Sequence, residues 1–110
     1  MGLVRKKDGT EGLAQWPLEM GTPIAVTIAA TGVPQQVSVT SVPCFQALVQ
    51  PKCDSSGVAT NSHVVGVGNV TAQLLQIRPD DFGAWLPTSD LASLYVKGTQ
   101  GEIVIVTPAV

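Results

Sequence analysis

From Pro23 onward the chain alternates. Ile24, Val26 and Ile28 are separated by Ala25 and Thr27. This is the period of two that buries one face of a strand. A turn follows at Thr31-Gly32-Val33-Pro34, and QQVSVTSV at 35–42 predicts a second strand with Val37, Val39 and Ser41 on one face. Pro43 interrupts it, because proline brings no N–H to a ladder. Residues 44–50 predict a third strand, and 51–61 a long polar loop or broken hairpin.

In 63–71, Val65, Val67 and Asn69 share one side, and Val64, Gly66, Gly68 and Val70 the other. Glycines on one face predict a bulge, or the close approach of a backbone or ring. Residues 72–77 continue as a strand to Arg78-Pro79. Asp80, Asp81 and Gly83 mark a turn, and 84–86 a short strand. Thr88 or Ser89 is placed to cap one helical turn over 90–93. A strand at 94–96, a hairpin turn at 97–101 and a strand at 102–107 complete the chain. In the last strand Ile103 and Ile105 alternate with Val104 and Val106, so neither face is wet. That fits burial on both sides or an interface.

Seven or eight short strands with almost no helical pattern predict an all-β fold. The expected form is an antiparallel β-sandwich, with the jelly roll as one version of it. Residues 1–22 show no sustained period and predict an extended N-terminal arm anchored by Trp16, Pro17 and Leu18, leaving 23–110 as the sandwich domain. The length of 110 residues suits one domain. A core is feasible but marginal at this size. Exposed strand edges are a liability that self-association would cover.

Composition narrows the class. Valine, threonine and isoleucine number 16, 10 and 5, and charged residues are 13% of the chain, about half the usual fraction of roughly 25%. A disordered tail would carry more charge, and a helical bundle more Glu, Lys and Leu. A nucleic-acid binder would carry a basic surplus, whereas six Lys and Arg here face eight Asp and Glu. The charge is also uneven. Residues 1–19 hold six of the fourteen charges, while 20–51 and 55–77 hold none. Prolines, glycines and glutamines break both runs, so neither predicts a membrane span. The basic residues Arg5, Lys6 and Lys7 have no apolar run behind them, so no secretory signal is expected. Together with Trp16 and Leu18 they are the residues expected to touch a partner.

No constellation of residues points to an enzyme. His63 is the single histidine and reads as a loop residue. Cys44 and Cys53 match no zinc spacing. They could face each other across a hairpin, but free thiols are expected in a reducing compartment. Asp80-Asp81 serves turn geometry better than calcium, which needs six to eight oxygens. Gly66-Val67-Gly68 lacks the third glycine and the helix of a dinucleotide site. No cofactor or metal is expected. Phe82, Trp85, Tyr95, Ile103 and Ile105 are expected to pack at a core or subunit interface, with a glycan contact at Phe82 and Trp85 as the alternative.

The runs PDDFGAWLPTSDL at 79–91 and LYVKGTQGEIVIV at 94–106 resemble small virion structural proteins of tailed bacteriophages. HVVGVGNVT at 63–71 and VSVTSVPCFQALVQPK at 37–52 fit the same pattern of turns and apolar positions. The likeness spans about residues 35–107 and includes no catalytic residue. It implies a capsid decoration (cement) protein, or the base of a head fibre. Such a protein would form homo-oligomers, trimer favoured over dimer, and bind the major capsid protein on the outer surface of the virion after assembly in the host cytoplasm. No nucleic acid or membrane partner is implied. The alternative is a receptor- or glycan-binding module of a head fibre or tail.

Overall fold

The computed structural model describes residues 19–110. The expected arm residues Arg5, Lys6, Lys7, Trp16 and Leu18 lie outside them. Eight strands follow one another: β1 (Ile24–Thr27), β2 (Gln35–Gln36), β3 (Gln46–Pro51), β4 (Val65–Gly68), β5 (Leu75–Ile77), β6 (Ala84–Pro87), β7 (Tyr95–Lys97) and β8 (Ile103–Ala109). A single 3₁₀ turn, Leu91–Ser93, precedes β7. The strands form two four-stranded sheets, in the orders β1-β8-β3-β6 and β2-β7-β4-β5. Every pairing is antiparallel. The fold is the expected antiparallel sandwich.

The pairings are nested: β1 with β8, β2 with β7, β3 with β6, β4 with β5. This is the pattern of one long hairpin rolled up on itself. Strand direction alternates along the chain, so the connections fall into two groups. Loops 28–34, 52–64, 78–83 and 98–102 gather at one end of the sandwich. Loops 37–45, 69–74 and 88–94 gather at the other, with Glu19–Pro23 and Val110. Cross-loop hydrogen bonds tie each group together. Gly32 N–H donates to Gly98 at the first end, and Cys44 N–H to Ser89 at the second.

The inner faces are filled by small branched side chains. Val49, Val65, Val67, Val96, Val104 and Val106 are all at most 1% exposed. Alternation delivers them: β3 reads half-buried, buried, half-buried, buried along Gln46-Ala47-Leu48-Val49. Burying each such side chain stabilises the fold by roughly 1.5–3 kcal/mol. Val suits the site because its restricted χ1 loses little freedom in a strand.

Polar side chains finish the ladder where strands stop. The Asn61 amide donates to the Ile103 carbonyl (2.8 Å) and accepts from the Ile103 N–H (2.9 Å), standing in for a neighbouring strand. Gln35 does the same across the gap between sheets. Its side chain accepts from Ala29 N–H and donates to Thr27 O, both at 2.9 Å. That occupies the free edge of β1, which would otherwise offer unpaired backbone groups.

One expectation needs correction. The strand expected over 35–42 ends at Gln36. Val37 is buried, but Val39 is 86% exposed rather than on the same buried face. The hydroxyl of Ser38 donates to the Thr40 carbonyl and turns the chain, an alternative that Ser offers the backbone in place of a ladder. Over 51–61, where a long polar loop or a broken hairpin is expected, the chain forms the hairpin. Asp54 Oδ1 accepts from Ser56 and Val58 N–H, Gly57 takes φ of 82°, and Cys53 bridges Ala59. Asp54 and Gly57 supply the turn chemistry that decides between the two forms.

The glycine face of β4 behaves as expected. A Cβ at Gly66 would overlap the Gln73 carbonyl oxygen, and one at Gly68 that of Ala72. Loop 69–74 therefore lies against the outer face of the second sheet. Asn69 Oδ1 holds it there by accepting from Thr71 N–H, Ala72 N–H and the Thr71 hydroxyl. Gly68→Ala should force this loop away and cost about 1–3 kcal/mol, the range for overpacking. A urea midpoint unchanged from the wild type would show that the loop yields freely.

Candidate functional site

Among the described residues, no group of three or more His, Cys, Asp or Glu could hold a metal ion. Cys44 and Cys53 are free thiols. Burial, and then the charge of Asp90, push the Cys44 thiol above its ordinary pKa. It is therefore held protonated and weakly nucleophilic. No helix among the described residues is long and apolar enough to cross a membrane. The distinctive property is instead the distribution of charge and apolar surface.

Nine charged residues lie in 19–110: three basic and six acidic, giving 3 − 6 = −3. Seven of them (Lys52, Asp54, Arg78, Asp80, Asp81, Lys97 and Glu102) sit in or beside the loops of the first end. Several work locally. Glu102 Oε1 accepts from Ser62 and His63 N–H at 2.8 and 2.9 Å, fastening loop 52–64 to the start of β8. Asp81 accepts from Arg78 N–H at 2.7 Å. The expected turn role of the Asp80-Asp81 pair is thus visible at Asp81.

The other end has two acids, Glu19 and Asp90. Asp90 is committed to the fold. Its Oδ1 accepts from Val42 N–H (2.8 Å) and Ala92 N–H (2.9 Å), and its Oδ2 from the Ser41 hydroxyl. These bonds, the one from Ser41 foremost, hold its carboxyl below the usual carboxylate range. It also caps the 3₁₀ turn, a role expected of Thr88 or Ser89. Asp is as good a cap as Ser, and its place directly before Leu91 is the signal. Around it stand exposed apolar side chains: Val39 is 86%, Leu74 83%, Phe45 70%, Val70 57%, Met20 50% and Val110 47% exposed, while at the charged end Phe82, Val58 and Val33 are exposed among the charges. At the same end Glu19 and Val110 exchange two backbone hydrogen bonds of 3.0 and 2.8 Å.

The residues expected at an interface are dispersed. Trp85, Ile103 and Ile105 fall together on the outer face of the β1-β8-β3-β6 sheet, where Ile103 and Ile105 are half-buried and Trp85 is 49% exposed. Tyr95 is half-buried on the outer face of the other sheet, paired with Gly68 and Gln36. Phe82 stands 96% exposed at the charged end. It borders a shallow cavity of about 200 Å³ lined also by Gly57, Ala59, Asp80 and Asp81. The apolar end was not legible in the sequence, because its residues come from four separated segments that meet only through the sheet topology.

No family model matches this sequence, no curated protein matches it, and no solved structure matches the fold.

Asp90 gives a pH signature. Its folded-state pKa lies below the unfolded value of about 3.9. Its contribution is therefore present above that value and lost as pH falls through the folded pKa. The wild type should melt above Asp90→Asn at neutral pH, and the gap should close on acidification below about pH 4. Melting curves of both proteins across that range check this. A gap independent of pH would show that the carboxylate charge is not what clasps the two loops.

Proposed function

We propose that this chain is a bacteriophage virion structural protein. In this reading it is a capsid decoration (cement) protein that self-associates, trimer rather than dimer. It lies on the major capsid protein at the outer surface of the head, after assembly in the host cytoplasm. The observation that carries the reading is the segregation of charge between the two ends. A protein that stands on another protein surface needs one end that loses little on desolvation and one that stays hydrated. The end with Val39, Phe45, Val70 and Leu74 has the first property, and the end with Lys52, Asp54, Arg78 and Asp80 the second. Burying a charge costs far more than burying an apolar side chain. Exposed apolar side chains with few charges among them are the usual mark of a contact site. Area rather than chemistry is what cementing a lattice requires.

One further feature supports it. The strand orders β1-β8-β3-β6 and β2-β7-β4-β5 are those of a rolled long hairpin, and we read the sandwich as a jelly roll, a form used by viral capsid proteins. In this reading Arg5, Lys6, Lys7, Trp16 and Leu18 belong to an arm that contacts a neighbouring capsomer. The second reading is a receptor- or glycan-binding module of a head fibre or tail. It is favoured by Phe82, which stands beside acids and a shallow cavity at the charged end. An exposed ring next to carboxylates is the arrangement that stacks on and hydrogen-bonds a sugar.

Immunogold labelling of virions that carry this chain separates the two. Regular label over the head faces is expected. Label confined to fibres or tail overturns the decoration reading in favour of the second. On stripped heads, re-addition of Val39→Glu or Leu74→Glu protein should show binding weakened by about tenfold or more, while Phe82→Glu binds as the wild type does.

A further inference from the structure

The outer face of the β1-β8-β3-β6 sheet is distinct from both ends. None of its four strands contains a charged residue. Cross-strand register sets Leu48 directly opposite Trp85, Gln50 opposite Ile105, and Thr27 opposite Ile103. Leu48, Trp85, Ile103 and Ile105 thus supply the apolar surface among the neutral polar groups of Gln46, Gln50 and Thr27. The outer face of the other sheet differs on both counts. It carries Lys97, and the chain's own loop 69–74 lies against its glycines.

We infer that a second copy of this chain seats on the β1-β8-β3-β6 face. The inference rests on the self-association in the reading above and names its surface. Two arguments select a copy of the same chain over a different protein. The described body carries a net charge of −3, so two copies repel unless they meet through a surface without charge, and this face is one. A partner of opposite charge, by contrast, would be met by acidic residues, and this face has none to offer. The polar groups on the face are amides and hydroxyls, each both donor and acceptor. Such groups can pair with their own kind, whereas carboxylates or ammonium groups facing their copies cannot. Trp85, at the free edge of β6, has the size and partial exposure of an anchoring residue.

Light scattering on the full chain tests this. The wild type should show a mass of two or three chains at micromolar concentration. Ile105→Glu and Trp85→Glu should weaken association by about tenfold or more. Gln46→Glu keeps the size of the side chain and adds only charge, so it should act in the same direction even if the larger changes perturb folding. Phe82→Glu, at the charged end, should leave the mass unchanged, and melting curves should show every variant folded. A monomeric wild type overturns the inference. So does an oligomer that all three face variants leave intact, or one that only deletion of residues 1–18 dissolves. A monomer that still labels heads would overturn this inference and the self-association it rests on, and leave head decoration standing. An intact oligomer that labels no heads would overturn the decoration reading alone.

Discussion

Strand β8 is bonded along both edges for nearly its whole length. β1 takes Ile103–Val106 on one side, and β3 takes Val104–Ala109 on the other. Beyond β1, the segment Glu19–Gly21 takes over, hydrogen-bonding to Pro108 and Val110. At its start, the Asn61 side chain occupies both backbone groups of Ile103, and the Glu102 carboxylate receives two N–H groups of loop 52–64. Its inward valines, Val104 and Val106, are fully buried. A nested hairpin fold closes only when its last strand docks between the first and the third. The two sheets, their common core and the positions of both loop groups therefore depend on this docking. It also makes the contacts long-range in sequence, since residues about eighty positions apart must meet, which is the costly kind of closure.

The separation of charge follows from that topology. In an alternating chain every odd-numbered strand delivers its following loop to one end, and every even-numbered strand to the other. The charged residues of 52–54, 78–81, 97 and 102 all follow odd strands, close odd strands, or precede β8. The uncharged runs 35–51 and 64–77 span the strands and the even-strand loops. A charge pattern that is patchy in one dimension thus becomes polar in three. Asp90 is the instructive exception. It is an acid at the apolar end, and its carboxylate is spent on three hydrogen bonds, two joining loops 37–45 and 88–94 and one capping the 3₁₀ turn.

What could be read along the chain was whatever one strand decides alone. The alternation at 24–28, the apolar run at 103–106 and the turn at 97–101 each mark a strand or a turn without reference to neighbours. Gly66 and Gly68 announced a close backbone approach, and loop 69–74 supplies it. The alternation at 37–42 misled, because the Ser38 hydroxyl bonds the nearby Thr40 carbonyl and the Ser41 hydroxyl bonds the Asp90 carboxylate, and the segment turns instead of extending the ladder. Over 52–60 the sequence left a loop and a hairpin open, and the Asp54 and Gly57 turn chemistry selects the hairpin. The outer sheet face and the apolar end were illegible for a different reason. Each is assembled from strands or loops far apart in sequence, and only the sheet order says which of them are neighbours.

The low charge of the body has a consequence for how its edges are protected. Sheet proteins commonly guard free edges with lysines or other charges, which repel a strange strand. Here the edge of β1 is met by the neutral amide of Gln35, the edge strand β6 ends in Pro87, and β2 and β5 are only two and three residues long. Shortness, proline and neutral amides stop open-ended strand pairing without placing charge on the surface. A charge guard would have repelled copies and other proteins alike. The neutral guard blocks the backbone edge and leaves the flat face of Leu48, Trp85, Ile103 and Ile105 free to make side-chain contacts, so protection from aggregation and capacity for close protein contact are compatible in one small domain.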